Sequence, residues 1–135
     1  MPDLKELQQR VSEAKGPDRE LDARIWWEFD AEKYGIDRSI LSIAETANVI
    51  AMLDHRLGKS WRTEFKELPQ YTASLEAALA LVERMGLDTR SILTEALTRT
   101  AHWTYHRGST FLEALVLAVL YIALVALIAK ESEHG

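Results

Sequence analysis

The sequence predicts one small, helix-rich α+β domain over residues 1–135, with a small sheet packed on a buried apolar helix near the C-terminal end. Three observations lead there. Ala114 to Ala129 runs for sixteen residues without a charge, so this segment has to be hidden from water. Several upstream segments repeat apolar residues at three- and four-residue spacing, the period of a helix with one buried face. Trp61 to Phe65 and Ala101 to Arg107 instead alternate large and polar residues, the period of a half-exposed strand. The alternative is an all-helical bundle.

Leu4, Leu7, Val11 and Ala14 form a helical stripe that Gly16-Pro17 ends. A second helix is expected from Pro17 to about Glu32. Pro17 suits a first helical position, and Asp18 and Glu20 lie near the positive end of the dipole. Leu21, Ile25 and Phe29 would point inward. Adjacent Trp26 and Trp27 cannot share one direction, so one is expected at an edge or contact surface. A third segment, capped by Asp37 or Ser39, places Ile40, Ile43, Ala44, Ala47, Ile50, Ala51 and Leu57 on one helical face. Val49 to Leu53 would also suit a buried strand.

Thr72 or Ser74 is expected to cap a helix from Leu75 to Met85, with Leu75, Ala78, Leu79, Val82 and Met85 buried and Gly86 as the stop. Ile92, Leu93, Ala96 and Leu97 suggest a further short helix before the strand at Ala101 to Arg107. Thr110-Phe111-Leu112-Glu113 reads as a capping box opening a last helix that ends near Lys130-Glu131.

Sixteen residues at ~1.5 Å each reach only ~24 Å, short of a hydrocarbon core of roughly 30 Å. Glu113 in the first turn prevents lengthening the run upstream, so burial in protein is the expected shelter. Membrane anchoring by this helix is the alternative.

Composition narrows the function classes. There is no cysteine, which removes disulfides, thiolate zinc sites and cysteine nucleophiles. A formal net charge of -5, from 21 acidic and 16 basic side chains, argues against nucleic acid as a partner. Residues 1–10 have no apolar core of the kind a secretory leader carries, so the expected location is the host-cell cytoplasm.

Residue patterns that resemble active sites do not hold together. Gly58-Lys59-Ser60 lacks the earlier glycine of a phosphate loop, because Leu53 stands there. His102 and His106 would share one face of a helix, but on the expected strand they stand ~13 Å apart, too far for one ion. Asp18, Glu20, Asp22 and Glu28 read as a solvated helix face. No catalytic, cofactor-binding or metal-binding residues are therefore assigned, and no enzyme activity or cofactor is expected. Trp26 and Trp27, if exposed, are the candidate partner-binding anchors, since tryptophan buries a large area at low entropic cost.

Gly16 to Ile25 (Gly-Pro-Asp-Arg-Glu-Leu-Asp-Ala-Arg-Ile) and Pro69 to Val82 (Pro-Gln-Tyr-Thr-Ala-Ser-Leu-Glu-Ala-Ala-Leu-Ala-Leu-Val) together resemble small uncharacterised phage and prophage proteins of the alpha-beta-alpha sandwich type. In that type an alanine- and leucine-rich helix follows near the C-terminus, as Leu112 to Ala129 does here. This chain departs from it in a more helical-looking middle and in a more apolar last helix without a preceding Thr-Pro. The resemblance implies a layered α/β domain of phage origin and supplies no functional residues. The expected function is a non-enzymatic phage or prophage accessory protein that binds a host or phage protein, inhibition of a host defence complex being one concrete form. Homo-oligomerisation would cover any apolar surplus the monomer leaves.

Overall fold

A computed structural model describes residues 4–30, 41–45, 49–54, 59–64, 69–107 and 110–134, of which 41–45, 49–54, 59–64, 101–107 and 133–134 are described by backbone alone. Two compact units emerge, one of Met1–Pro2 and Arg19–Pro69, the other of Asp3–Asp18 and Gln70–Gly135. Among the residues described with their side chains, 79% are helical and none lies in a strand, so this part is all-α and the expected α+β domain, with its sheet packed on the C-terminal helix, is corrected.

The second unit is a four-helix assembly of α1 (Leu4–Glu13), α3 (Leu75–Arg84), α4 (Thr89–Arg107) and α5 (Phe111–His134), in which α5 packs against each of the other three. Helix α1 buries Leu4, Leu7 and Val11, a single stripe at intervals of three and four. Its Gln8 side chain donates to the Tyr121 hydroxyl of α5 at 3.4 Å.

Helix α3 starts where Ser74 Oγ accepts the Ala77 N–H, with Ser74 in extended backbone, so Ser74 is the cap and Thr72 is not. Buried Thr72 holds the turn after α1 instead. Its Oγ1 accepts the Asp18 N–H at 2.8 Å and donates to the Asp18 carbonyl at 3.2 Å. The buried stripe of α3 is Ala78, Leu81 and Val82, whereas Leu75, Leu79 and Met85 are half-buried.

At the other end of α3, Gly86 adopts φ +78°. The Leu87 N–H then reaches the Val82 carbonyl and the Gly86 N–H the Glu83 carbonyl, a Schellman closure. Lys130 Nζ stands beside Gly86, where a cation complements the negative helix end.

Helix α4 overturns the strand expected at Ala101 to Arg107. Asp88 caps its start, and neither Gly nor Pro interrupts the chain from Thr89 to Arg107. Once nucleated, a helix gains one hydrogen bond for each residue added, and the alternation in Ala101 to His106 supplies no competing terminator. Ile92, Ala96 and Thr100 are buried, while Leu97 is 48% exposed.

Helix α5 begins on the expected capping box. Thr110 Oγ1 accepts the Glu113 N–H at 3.2 Å, and Glu113 Oε1 accepts from both the Thr110 N–H and its hydroxyl. The Gly16 turn lies against the same carboxylate, since a Cβ there would stand 3.0 Å from Glu113 Oε2. Every residue from Ala114 to Leu120 is buried, as are Ile122, Ala123 and Leu124. The helix continues to His134, beyond the expected end. Its Phe111–Ser132 stretch, 22 residues with Glu113, Lys130 and Glu131 included, is by length and composition alone able to cross a membrane. Of the most apolar part, 56% is buried.

The first unit contains α2 (Arg19–Phe29) and, by backbone, three strands: β1 (Leu41–Glu45), β2 (Val49–Asp54) and β3 (Lys59–Glu64). They pair antiparallel in the order β1-β2-β3, with Ile43 opposite Met52 and Met52 opposite Trp61. The single helix read between Ile40 and Leu57 is thus corrected, because Leu41–Glu45 and Val49–Asp54 are both extended. Asp37, Ser39, Ile40, Leu57, Gly58 and Phe65 lie outside the described residues. The second strand expected for the small sheet, Ala101 to Arg107, is helical, whereas Trp61 to Glu64 lie in β3. Within the second unit the C-terminal helix packs on α1, α3 and α4.

Helix α2 buries Leu21, Ala23, Ile25, Trp26 and Trp27 together with Asp22, more than one face of the helix. Phe29 is only half-buried. The Asp22 carboxylate, fully buried, pairs with Arg19 Nη1 at 2.7 Å, and the same nitrogen donates to the Pro69 carbonyl. The solvated-face reading therefore fails for Asp22.

Leu117 is fully buried near the middle of α5, whereas Leu112 is 55% exposed. Leu117→Ala is expected to lower unfolding stability by about 2–5 kcal/mol. Leu112→Ala should change it by under about 0.5 kcal/mol, both read from urea transitions followed at 222 nm.

Candidate functional site

The apolar run of α5 is not covered evenly. Past Leu124, Val125 is 41% exposed, Ala126, Leu127 and Ile128 are half-buried, and Ala129 is exposed. The physical cause is the breadth of the apolar face. Residues at Ala114 to Ala129 are hydrophobic all round, and three neighbouring helices do not enclose every side of the later turns.

Helices α4 and α5 together bound an open hollow of about 200 Å³, lined by Glu95 and Arg99 from α4 and by Ile122, Val125, Ala126 and Ala129 from α5. Its floor is aliphatic and its α4 rim is charged. Arg99 Nη2 reaches Glu95 Oε1 at 3.1 Å, one helical turn apart, with both side chains about half exposed. Such a pair contributes about 0.3–0.5 kcal/mol and neutralises itself locally. The far end of α5 adds exposed Lys130 and Glu131, one charge of each sign.

This volume lies below the roughly 300–1,000 Å³ of small-molecule pockets. The hollow offers one charged pair, already self-satisfied, and no nucleophile beside a base. The hollow thus combines an aliphatic floor with a charged rim on one side.

Asp88, at the start of the helix that carries this rim, is the electrostatically tuned group among the described residues. The Ser91 hydroxyl and the Arg90 N–H both donate to its carboxylate and hold its pKa below the ordinary 3.8.

The residues singled out in the sequence fall elsewhere. Trp26 and Trp27 are each only 6% exposed, so both belong to the buried part of α2, and neither takes the edge position expected of one of them. Glu28 is half-buried near Arg24, and Asp22 is buried. Lys59 and Ser60 open β3, not the helix a phosphate loop requires. Among the described residues no three His, Asp or Glu side chains gather as a metal site. His102 and His106 lie on the backbone of α4, a helix and not the expected strand.

The hollow itself escaped the sequence reading. Its signal was the excess of apolar residues late in α5, and only the packing shows which are left uncovered. Comparison with family models, curated proteins and solved structures finds no match to this chain.

Because the folded pKa of Asp88 is lowered, its stabilising effect on α4 is complete above pH 3.8 and is lost as the pH falls through the folded value. Asp88→Ala should therefore melt below the unmodified protein at pH 7, and the difference should shrink steadily below pH 3.8, measured by thermal unfolding at each pH.

Proposed function

We propose that this protein acts by binding another protein, as a non-enzymatic accessory protein of phage or prophage type, and that the binding surface is the open end of α5 with the adjoining hollow. The carrying observation is the uncovered Val125 beside Ala126 and Ala129, facing a hollow rimmed by Glu95 and Arg99. An apolar centre with a polar, charge-balanced rim matches the core and rim of protein interfaces. The occupant this surface suits is an apolar side chain of a partner segment, with residues of either sign flanking it. Inhibition of a host defence complex is one form this binding would take, and it rests on the resemblance of Gly16 to Ile25 and Pro69 to Val82 to phage proteins. On this reading Trp26 and Trp27 support the fold and do not meet the partner.

A second reading has its own observation. The Phe111–Ser132 stretch has the length and composition of a membrane-spanning helix and is only partly buried, so an acyl environment is the competing occupant.

Capture from host lysate separates the two. Val125→Glu, at a 41% exposed position, should leave the fold intact by circular dichroism and lower recovery of a stoichiometric partner at least about tenfold. Equal recovery by the variant, or no stoichiometric partner, contradicts the binding reading. Flotation of the unmodified protein with liposomes, lost in Val125→Glu, favours the membrane.

A further inference from the structure

The hollow between α4 and α5 carries an arrangement that is complementary to itself. Its floor lies on one row of α5 in the order Ile122, Val125, Ala126, Ala129, two larger side chains followed by two small ones. Its rim carries Glu95 and Arg99, one charge of each sign a helical turn apart on α4. We propose that the occupant of this hollow is a second copy of the same chain, docked about a two-fold axis that passes between Val125 and Ala126. The proposal rests on the reading of the hollow as a protein-docking surface and commits that surface to one partner.

A two-fold axis across a helix sets it against its own copy running antiparallel, so residues equidistant from the axis meet. Ile122 then lies opposite Ala129 of the second copy, and Val125 opposite Ala126 of the second copy. Large side chains face small ones at both levels, the interdigitation that close packing requires. Exposure follows the same order. Ile122 is 4% exposed, Val125 is 41% exposed and Ala129 is exposed. The open end of the row in one copy therefore meets the recessed end in the other. A parallel pairing would set Val125 against Val125 and Ala129 against Ala129, crowding one level and leaving the next unfilled.

The rim obeys the same axis. Exchange of Glu95 and Arg99 across it sets Glu95 of each copy beside Arg99 of the other. Arg99 Nη2 already donates to Glu95 Oε1 of its own chain at 3.1 Å, and a guanidinium has further N–H groups for a second carboxylate. Both side chains are about half exposed and so remain accessible to a neighbour. Four charges of alternating sign then close the rim, whereas a partner surface of a single sign would leave either Glu95 or Arg99 opposed by a like charge. Exposed pairs add little affinity, so the aliphatic row supplies the attraction and the rim selects the orientation.

A row about two helical turns long makes a small contact, in the class of weak and reversible associations. The net charge of -5 on each copy opposes association at long range, and ~0.15 M salt confines that repulsion to about 8 Å. At low micromolar concentration the chain is then monomeric and the same surface stands open.

Sedimentation of the full chain at ~0.15 M salt, in buffer free of detergent and lipid, tests the pairing from micromolar to near-millimolar concentration. A dimer is expected at the upper concentrations. Glu95→Arg or Arg99→Glu should weaken it about tenfold or more, because each sets two like charges opposite two others. An equimolar mixture of these two variants should dimerise again, since every rim pair is then of opposite sign. That recovery is not available to a variant that has merely lost its fold, and helicity at 222 nm checks each chain. A monomer at every concentration, a dimer unaffected by Val125→Glu, or a mixture that stays monomeric overturns the proposal. A monomer that still captures a stoichiometric partner through Val125 removes the second copy and leaves the docking surface standing, whereas a monomer without such a partner removes both.

Discussion

Burial of α5 is the constraint on which the helical unit depends. From Ala114 to Leu124 only Tyr121 is less than buried, and it meets Gln8 of α1. Each large aliphatic side chain taken from water there contributes about 1.5–3 kcal/mol. Its apolar surface is met by α1, α3 and α4, which are arranged around α5. Their own stripes are narrow: Leu4, Leu7 and Val11 on α1, and Ala78, Leu81 and Val82 on α3. Narrow stripes suffice for a helix that meets one neighbour. A helix that is apolar on all sides needs neighbours on all sides, and the later turns of α5 lack them. The same property therefore produces both the core and the exposed patch.

Helix ends fix the register of this packing. The Thr110–Glu113 box starts α5, and the Gly16 turn fits against it closely enough that a single added carbon would touch the carboxylate. Thr72 ties the Asp18 backbone from the far side of the chain. At the opposite end the Schellman closure at Gly86 meets Lys130 of α5. Local capping and tertiary packing thus act on the same residues, which is why short polar motifs help position a long apolar helix.

Much of this was legible in the sequence for a physical reason: caps and stops are local. Ser74, Gly86 and the Thr110–Glu113 box depend on residues within a few positions of each other. What was not legible depends on competition between periods. Ala101 to His106 alternates as a strand would, yet continues a helix already nucleated at Asp88. The middle segment fits a helical face, yet its backbone takes two extended runs. Burial of Asp22, and of both Trp26 and Trp27 instead of one of them, was also hidden, because a run of residues states which faces are apolar and not how many neighbours cover them. The hollow beside Val125 follows from the same limit.

The chain has no native cysteine, so single cysteines report the cover of α5 directly. Ala118→Cys and Val125→Cys, labelled with a water-soluble maleimide in buffer free of detergent and lipid, make the decisive comparison. The expected result is rapid reaction at position 125 and reaction at position 118 only after denaturation. Equal rates at the two positions in the native protein would contradict the account.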